Sequence, residues 1–226
     1  MKYSEIFYTL QGEGQLLGVP SVFLRTSYCN LRCWWCDSAY TSWQPENKDI
    51  TVAEAVAAIR HFGIKHVVIT GGEPFLQAEP LTELCQKLHE QGHHLTIETN
   101  GTIFVPIKAD LISLSPKLAN STPIADSMWI TRQQRERINQ KALRQFFDNY
   151  NCQVKFVVDT PNDLVEIEQL AKQLNIPPLL IILMPQGTTE EILKSKQLWL
   201  AELCKQYGYR YSPRLHINIW GDKRGT

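Results

Sequence analysis

Short, nearly all-apolar runs recur along the chain, separated by stretches whose apolar residues fall three and four apart. Val22–Arg25, His66–Thr70, His94–Thr99, Leu111–Ser115, Gln153–Val158 and Leu179–Met184 read as buried strands. The intervening stretches read as helices. Thr51-x-x-Glu54 is a capping box that opens a helix towards Gly63. A second helix is expected from Pro80 to Gly92, and a polar one from Arg132 to Asn149. Thr160 and Pro161 are expected to cap a helix with Leu164, Ile167, Leu170, Ala171 and Leu174 on one face. A last long helix is expected over Thr189–Tyr207, and the tail Leu215–Thr226 is expected to be irregular with room for one short strand.

Strands that are nearly continuously apolar and alternate with helices imply a parallel sheet covered by helices. About six such units are legible, against the eight of a closed barrel, which takes about 250 residues. The expected fold is therefore α/β: an open, partial β/α barrel of about six parallel strands, one domain over residues 1–226. Its chemistry is expected at the carboxyl ends of the strands, where the loops gather.

Composition adds little to this picture except at cysteine. The 226 residues are 43% hydrophobic, enough for a sizeable core. Lys plus Arg balances Asp plus Glu, 23 against 23, which gives no pointer to nucleic acid or membrane as a partner. The start, MKYSEIFYTL, has no basic region leading into a long apolar core. No apolar run approaches the roughly 20 residues of a spanning helix. A cytoplasmic location is expected. Three of the six cysteines crowd into Cys29–Cys36, while Cys85, Cys152 and Cys204 stand alone, the first and last in apolar helical patterns. That distribution suits a metal site plus small buried residues in a reducing compartment, not a disulfide framework.

Cys29-Asn-Leu-Arg-Cys33-Trp-Trp-Cys36 follows directly on the strand Val22–Arg25, so it lies on a loop at a strand's carboxyl end. Three thiolates in eight residues can wrap one soft metal centre. On a [4Fe–4S] cube they leave one iron without a protein ligand, which is an open coordination site. The competing reading is structural zinc, but closed zinc sites take four ligands, usually in two separated pairs, and there is no second pair here. Thr70-Gly71-Gly72-Glu73-Pro74 ends the next strand. Two glycines admit a close backbone approach, and Glu73 can receive an amino group. Taken alone the segment is also an ordinary strand-to-helix turn. Glu98-Thr99-Asn100-Gly101 and Ser115-Pro116-Lys117 place further polar groups on the same rim.

Cys-x3-Cys-x2-Cys with an aromatic residue before the last cysteine resembles the signature of radical S-adenosylmethionine (SAM) enzymes. The resemblance implies a [4Fe–4S] cluster on Cys29, Cys33 and Cys36 and SAM bound at its open iron. It implies a SAM site among Trp35, Cys36, Asp37, Gly72, Glu73, Glu98, Asn100, Ser115, Pro116, Lys117, Met184, Pro185, Gln186 and Gly187. Phe7-Tyr8-Thr9-Leu10-Gln11-Gly12-Glu13-Gly14, with Arg25, Cys36-Asp37-Ser38 and the tail Trp220–Gly225, narrows the resemblance to the 7-carboxy-7-deazaguanine synthases. The likeness runs from Glu5 to the tail. Ser121–Asn149 carries no motif, and the cysteine loop has the plain short spacing, without the insertion some members carry.

What that resemblance implies is a radical ring contraction of 6-carboxy-5,6,7,8-tetrahydropterin to 7-carboxy-7-deazaguanine and ammonia, with SAM and Mg2+ as cofactors. Leu10, Gln11, Gly12, Glu13, Arg25, Thr70 and His216 are the implied substrate residues, and the Ser38 hydroxyl the implied Mg2+ ligand. The chemistry suits them. A pterin edge alternates donors and acceptors that Gln11, Glu13 and the Gly12 backbone can pair, and Arg25 can hold a carboxylate by two parallel bonds. Each also has a structural alternative: a flexible turn at Gln11–Gly14, a structural ion pair for Arg25, a packed terminus for His216. An external electron donor such as a flavodoxin and a homodimer are further implications. Two alternatives stay open from sequence: a radical SAM activase that places a glycyl radical on a partner protein, and a non-enzymatic iron–sulfur or zinc-binding adaptor.

Overall fold

A computed structural model describes residues 1–226. Nine strands form one open sheet: β1 (Lys2–Leu10), β2 (Pro20–Thr26), β3 (Lys48–Asp49), β4 (His66–Gly71), β5 (His94–Thr99), β6 (Leu111–Leu114), β7 (Cys152–Val158), β8 (Ile181–Pro185) and β9 (Arg210–Tyr211). Their order is β3-β1-β2-β4-β5-β6-β7-β8-β9. From β2 to β9 every neighbouring pair is parallel, and β1 and β3 add an antiparallel flank. All six expected strands are present, and β1, β3 and β9 are additional. The last two are only two residues long, too short to show a period. β1 was legible only as the approach to Gln11, because Tyr3, Glu5, Phe7 and Thr9 on one face mix charge and aromatics.

The eight helices are α1 (Ala39–Ser42), α2 (Val52–His61), α3 (Ala78–Glu90), α4 (Ser127–Glu136), α5 (Gln140–Asn149), α6 (Asp163–Leu174), α7 (Glu190–Tyr207) and α8 (Leu215–Trp220). The capping box at Thr51 and Glu54 is formed, and Gly63, at φ +65°, follows the end of α2. The single helix expected over Arg132–Asn149 is two. Asp126 caps α4 through Trp129 N at 3.1 Å, and Asn139 caps α5 through Ala142 N at 3.2 Å. α3 begins before Pro80, after a 3-10 turn over Pro74–Gln77. Proline is tolerated there because the first-turn N–H groups need no helical acceptor. Thr160 and Pro161 precede α6 without capping it; Asn162 holds the cap position, and Asp163 Oδ2 takes the Asp159 and Thr160 amides instead. The tail, expected to be irregular, forms α8.

Strand parity positions the site. Val22, Leu24, Val67, Ile69, Leu95, Ile97, Ile112, Leu114, Val154, Phe156, Val158, Ile181 and Leu183 belong to the core under the helices. Since side chains alternate across a sheet, the residues between them face the barrel interior. The last interior residue of most of these strands is the penultimate one: Arg25 on β2, Thr70 on β4, Glu98 on β5, Val157 on β7 and Met184 on β8. Register aligns Arg25 with Thr70 and Val157 with Met184. One rim therefore collects a guanidinium, a hydroxyl, a carboxylate and a thioether, all facing one cavity of about 450 Å3.

Candidate active site

The cysteine loop leaves β2 through Tyr28, a non-glycine residue at φ 76°, in the left-handed region. Tyr28 is held there by its carbonyl, which accepts from Glu73 N at 2.8 Å, and by its hydroxyl, which donates to Asn47 Oδ1 at 3.0 Å. Gly72 N donates to Thr26 O at 3.1 Å. A Cβ on Gly71 would lie 2.2 Å from Thr26 O, and one on Gly72 would lie 2.1 Å from Tyr28 O. The two glycines thus let the end of β4 press against the backbone of the cysteine loop.

Cys33 is buried, Cys29 and Cys36 are half-buried, and all three line the cavity. Burial, then Glu73 and the neighbouring thiols, pushes Cys29 up to about 12; burial, then Asp37, pushes Cys36 up to about 11. Such thiols hold their protons until a strongly cationic centre displaces them. No three His, Cys, Asp or Glu side chains converge tightly enough to grip a single ion. Three thiols set apart around one cavity fit a cube whose irons each reach a separate sulfur. Sulfur acceptors are also served: Leu31 N donates to Cys29 Sγ at 3.4 Å and Ser42 Oγ to Cys36 Sγ at 3.3 Å. Cys85, Cys152 and Cys204 are buried in the apolar core.

Beyond the cysteines, the cavity wall is a continuous run of paired charges. Gln11 Nε2 and Thr70 Oγ1 donate to the two oxygens of Glu98, at 3.2 and 2.8 Å. Lys155 lies 3.7 Å from Glu98 and is hydrogen-bonded to Glu13. Arg214 reaches Glu13 at 3.4 Å and pairs with Asp37, whose other oxygen accepts from Ser38 Oγ at 3.0 Å. Arg25 donates through Nη1 to Ser38 Oγ at 3.4 Å and through Nε to Glu5 at 2.8 Å. Glu5 accepts also from Tyr40 at 2.8 Å and Arg224 at 2.9 Å. Burial alone would raise Glu13, but Lys155, Arg214 and His216 hold it well below the usual carboxylate range. Burial would likewise lower Lys155, and Glu13 and Glu98 outweigh it. Removing one partner of such a buried pair typically costs about 3–5 kcal/mol.

The substrate candidates Leu10, Gln11, Gly12, Glu13, Arg25, Thr70 and His216 all line the cavity, as does Ser38. His216 packs on Gly12, where a Cβ would lie 2.2 Å from its Nδ1. Among the SAM candidates, Trp35, Cys36, Asp37, Gly72, Glu98, Asn100, Ser115, Lys117 and Met184 line it too. Glu73, Pro116, Pro185, Gln186 and Gly187 do not. The Glu73 carboxylate is enclosed, accepting from Thr99 Oγ1 and Asn100 N at 2.8 Å each and Phe75 N at 3.1 Å. Gln186 Oε1 accepts from Lys196 Nζ at 2.9 Å and the Gly187 carbonyl from Arg214 Nη1 at 2.6 Å, so both brace the wall from behind. Sequence reading gave no site role to Lys155, Arg214, Glu5, Tyr40 or Arg224, although Arg224 lies in the tail Trp220–Gly225 that carries part of the resemblance. Lys155 sits within the mostly apolar run Cys152–Val158.

A family model described as the radical SAM superfamily matches residues 23–198. A 7-carboxy-7-deazaguanine synthase of Halobacterium salinarum is 44% identical over 99% of this chain and 91% of that protein. One from Rhodopirellula baltica is 43% identical over 99% and 88%. The chain belongs to the 7-carboxy-7-deazaguanine synthases, within the radical SAM superfamily. The crystal structure of QueE from Escherichia coli superposes with a TM-score of 0.71 at 26% identity, covering 95% of this chain and 93% of that one. Streptococcus suis SuiB bound to S-adenosylmethionine, at 16% identity and TM-score 0.58, shares the fold over 85% of this chain and 50% of its own. Membership of this family implies a [4Fe–4S] cluster and SAM, which the three thiols and the cavity beside them fit. It also favours the synthase over the activase and adaptor alternatives.

In a synthase of this architecture Gly72 serves the cysteine loop first. A Cβ on Gly72 would meet the Tyr28 and Thr41 carbonyls, so Gly72→Val presses on the cysteine loop as well as on the SAM wall. Gly72→Val is expected to cost about 1–3 kcal/mol of stability and to lower iron retention together with SAM affinity. Denaturant midpoints and iron content measured side by side check this; loss of SAM affinity with full iron would return Gly72 to the ligand.

Glu73 gives a pH signature of its own. Burial raises its carboxyl from 4.5 to about 7 against the pull of its hydrogen-bond donors. The folded chain therefore keeps this proton to higher pH than the unfolded chain, and the associated stability is complete below 4.5 and lost as pH rises through about 7. Glu73→Gln cannot ionise. The stability of wild type relative to this variant is expected to fall by up to about 3 kcal/mol between pH 4.5 and pH 8. Urea unfolding of the cluster-free protein across that range measures it, and a flat difference would show Glu73 ionised throughout.

Proposed function

We propose that this chain converts 6-carboxy-5,6,7,8-tetrahydropterin to 7-carboxy-7-deazaguanine with release of ammonia. The observation that carries this reading is that Leu10–Glu13, Arg25, Thr70 and His216 share one cavity with the three cluster cysteines. Bound SAM on the reduced cluster supplies a 5′-deoxyadenosyl radical. The chain's own part is to bind, orient and exclude water. Arg25 spends its Nε on Glu5, which leaves the Nη edge, now touching only Ser38, to receive a carboxylate. Gln11, the Gly12 backbone and Glu13 offer alternating donors and acceptors to a pterin edge. Glu98, held by Thr70 and Gln11, presents a carboxylate at the centre of the rim.

The SAM site is assigned to the wall formed by Trp35, Asp37, Gly72, Asn100, Ser115, Lys117 and Met184. Pro116 and the Pro185–Gly187 segment shape that wall from outside the cavity. Mg2+ is assigned to the Ser38 hydroxyl next to the Asp37 carboxylate. Two hard oxygen donors suit an ion that takes its remaining ligands from substrate and water. An external one-electron donor of the flavodoxin kind, a homodimer and a cytoplasmic setting complete the proposal; no helix is long and apolar enough to cross a membrane. Anaerobic reconstitution with iron and sulfide, then dithionite, SAM, Mg2+ and the carboxypterin, tests it. Mass spectrometry is expected to find 7-carboxy-7-deazaguanine and ammonia. Slow 5′-deoxyadenosine release with no purine-like product would overturn the reading.

A further inference from the structure

α4 belongs to the stretch that carries no motif, and its packing is unusual. Its one buried residue is Gln133, which has no exposed surface at all. Helices ordinarily dock through apolar side chains, and burying a primary amide costs free energy unless every polar atom is paired. Gln133 is paired, and its partners lie on or beside the cysteine loop. Its Oε1 accepts from Arg32 N at 2.7 Å. Its Nε2 donates to Ser121 O at 3.0 Å, to Ser121 Oγ at 2.9 Å and to Cys33 Sγ at 3.5 Å. The helix is steadied alongside by Trp129, whose ring lies 4.2 Å from the Arg32 guanidinium and 4.9 Å from that of Arg132.

The bonds to Arg32 N and Ser121 hold α4 against the cysteine loop and already call for an amide. The third contact of Nε2, at the Cys33 sulfur, is not needed for that anchoring. We propose that Gln133 is a positioning residue that sets the reduction potential of the cluster through an N–H···S hydrogen bond to the Cys33 thiolate. The inference rests on the cluster reading and not on the identity of the substrate. Adding an electron to an iron–sulfur cluster increases the negative charge on its sulfurs. A fixed donor beside one of them therefore stabilises the reduced form more than the oxidised form. Gln133 has company: Ser42 donates to Cys36 Sγ at 3.3 Å, and Asn100 Nδ2 lies 4.0 Å from Cys29 Sγ. Each cluster thiol thus has a side-chain donor from a different element. Gln133 is the one supplied across one hundred residues of sequence.

The test measures potential and not turnover. Wild type, Gln133→Met and Gln133→Glu are reconstituted, their iron and sulfide counted, and each titrated with dithionite under electron paramagnetic resonance without SAM or substrate. Gln133→Met keeps the length and bulk of the side chain and loses both polar atoms. Gln133→Glu keeps an acceptor for Arg32 N and loses the donor. Both are expected to hold a full cluster with a more negative potential. At the wild-type midpoint the reduced-to-oxidised ratio is expected to fall by about fivefold in Gln133→Met, the weight of one net hydrogen bond, and further in Gln133→Glu, whose carboxylate adds negative charge beside the sulfur. An unchanged midpoint in either fully loaded variant overturns the proposal. So does failure of both variants to hold iron when wild type does, since Gln133 would then hold the loop and not tune the cluster. A wild-type chain that never holds iron and sulfide removes the cluster reading itself, while a tuned cluster without product from the carboxypterin leaves this inference standing and removes only the substrate.

Discussion

Changing any one of Cys29, Cys33 or Cys36 to Ala is expected to abolish the cluster absorbance and reduce SAM cleavage to background, whichever of the three is changed. Each thiol sits at its own place on the loop, and the remaining cysteines, Cys85, Cys152 and Cys204, are buried in the core and cannot replace a lost one. The effect should be all-or-none because a cube held by only two thiolates has two irons without a protein ligand and is readily lost. The other three cysteines supply the control. Cys85, Cys152 and Cys204 are buried in the apolar core, far from any polar rim, and Cys85→Ala, Cys152→Ala and Cys204→Ala should retain full iron at a packing cost of about 1–2 kcal/mol. Iron and sulfide counts, absorbance and 5′-deoxyadenosine yield separate the two groups. A cluster-loop variant that keeps four irons and cleaves SAM would mean that the metal is held elsewhere.

The contrast between these two sets of cysteines shows what a sequence can reveal about such a site. Spacing is local, so three cysteines in eight residues and two glycines at a strand end were readable without a structure. The six central strands were readable as well, because apolar residues dominate each of them. That same property concealed the interior. A strand such as Cys152–Val158 gives one face to the helices and the other to the cavity, and its apolar content hid the alternation that puts Lys155 on the reactive side. Arg214 was invisible for a different reason. Its partners Glu13 and Asp37 lie 201 and 177 residues away, and no local pattern encodes a pairing at that range. Glu73 reads from its motif as a receiver of an amino group, and in the fold its carboxylate also accepts from Thr99, Asn100 and Phe75. The motif was read correctly as a place in the fold; which atoms of it remain free depends on neighbours that only the folded chain brings together.

Arg25→Ala is expected to lower turnover of the carboxypterin by at least about 100-fold, equivalent to roughly 2.7 kcal/mol of transition-state stabilisation. The structure sharpens why. Arg25 holds Glu5 through its Nε at 2.8 Å and turns its Nη edge to Ser38 and the cavity, where a carboxylate could be met. Glu5 keeps Tyr40 and Arg224 when Arg25 is removed, at 2.8 and 2.9 Å, so the carboxylate left behind is not orphaned and the fold should survive. What is lost is the guanidinium edge. A substrate carboxylate taken out of water and left unpaired costs far more than a surface ion pair returns. Arg25→Lys should recover only part of the loss. It keeps a charge, but one ammonium cannot hold Glu5 and meet a carboxylate with two parallel bonds at once. Both variants should bind iron, sulfide and SAM as wild type does, because Arg25 touches none of the cysteines. A pterin lacking the carboxylate should bind wild type poorly and lose little further in either variant. Equal turnover of the carboxypterin by wild type and Arg25→Ala would make Arg25 a partner of Glu5 and nothing more, and the carboxylate would have to be sought at Lys155 or Arg214, the other buried cations of the cavity wall.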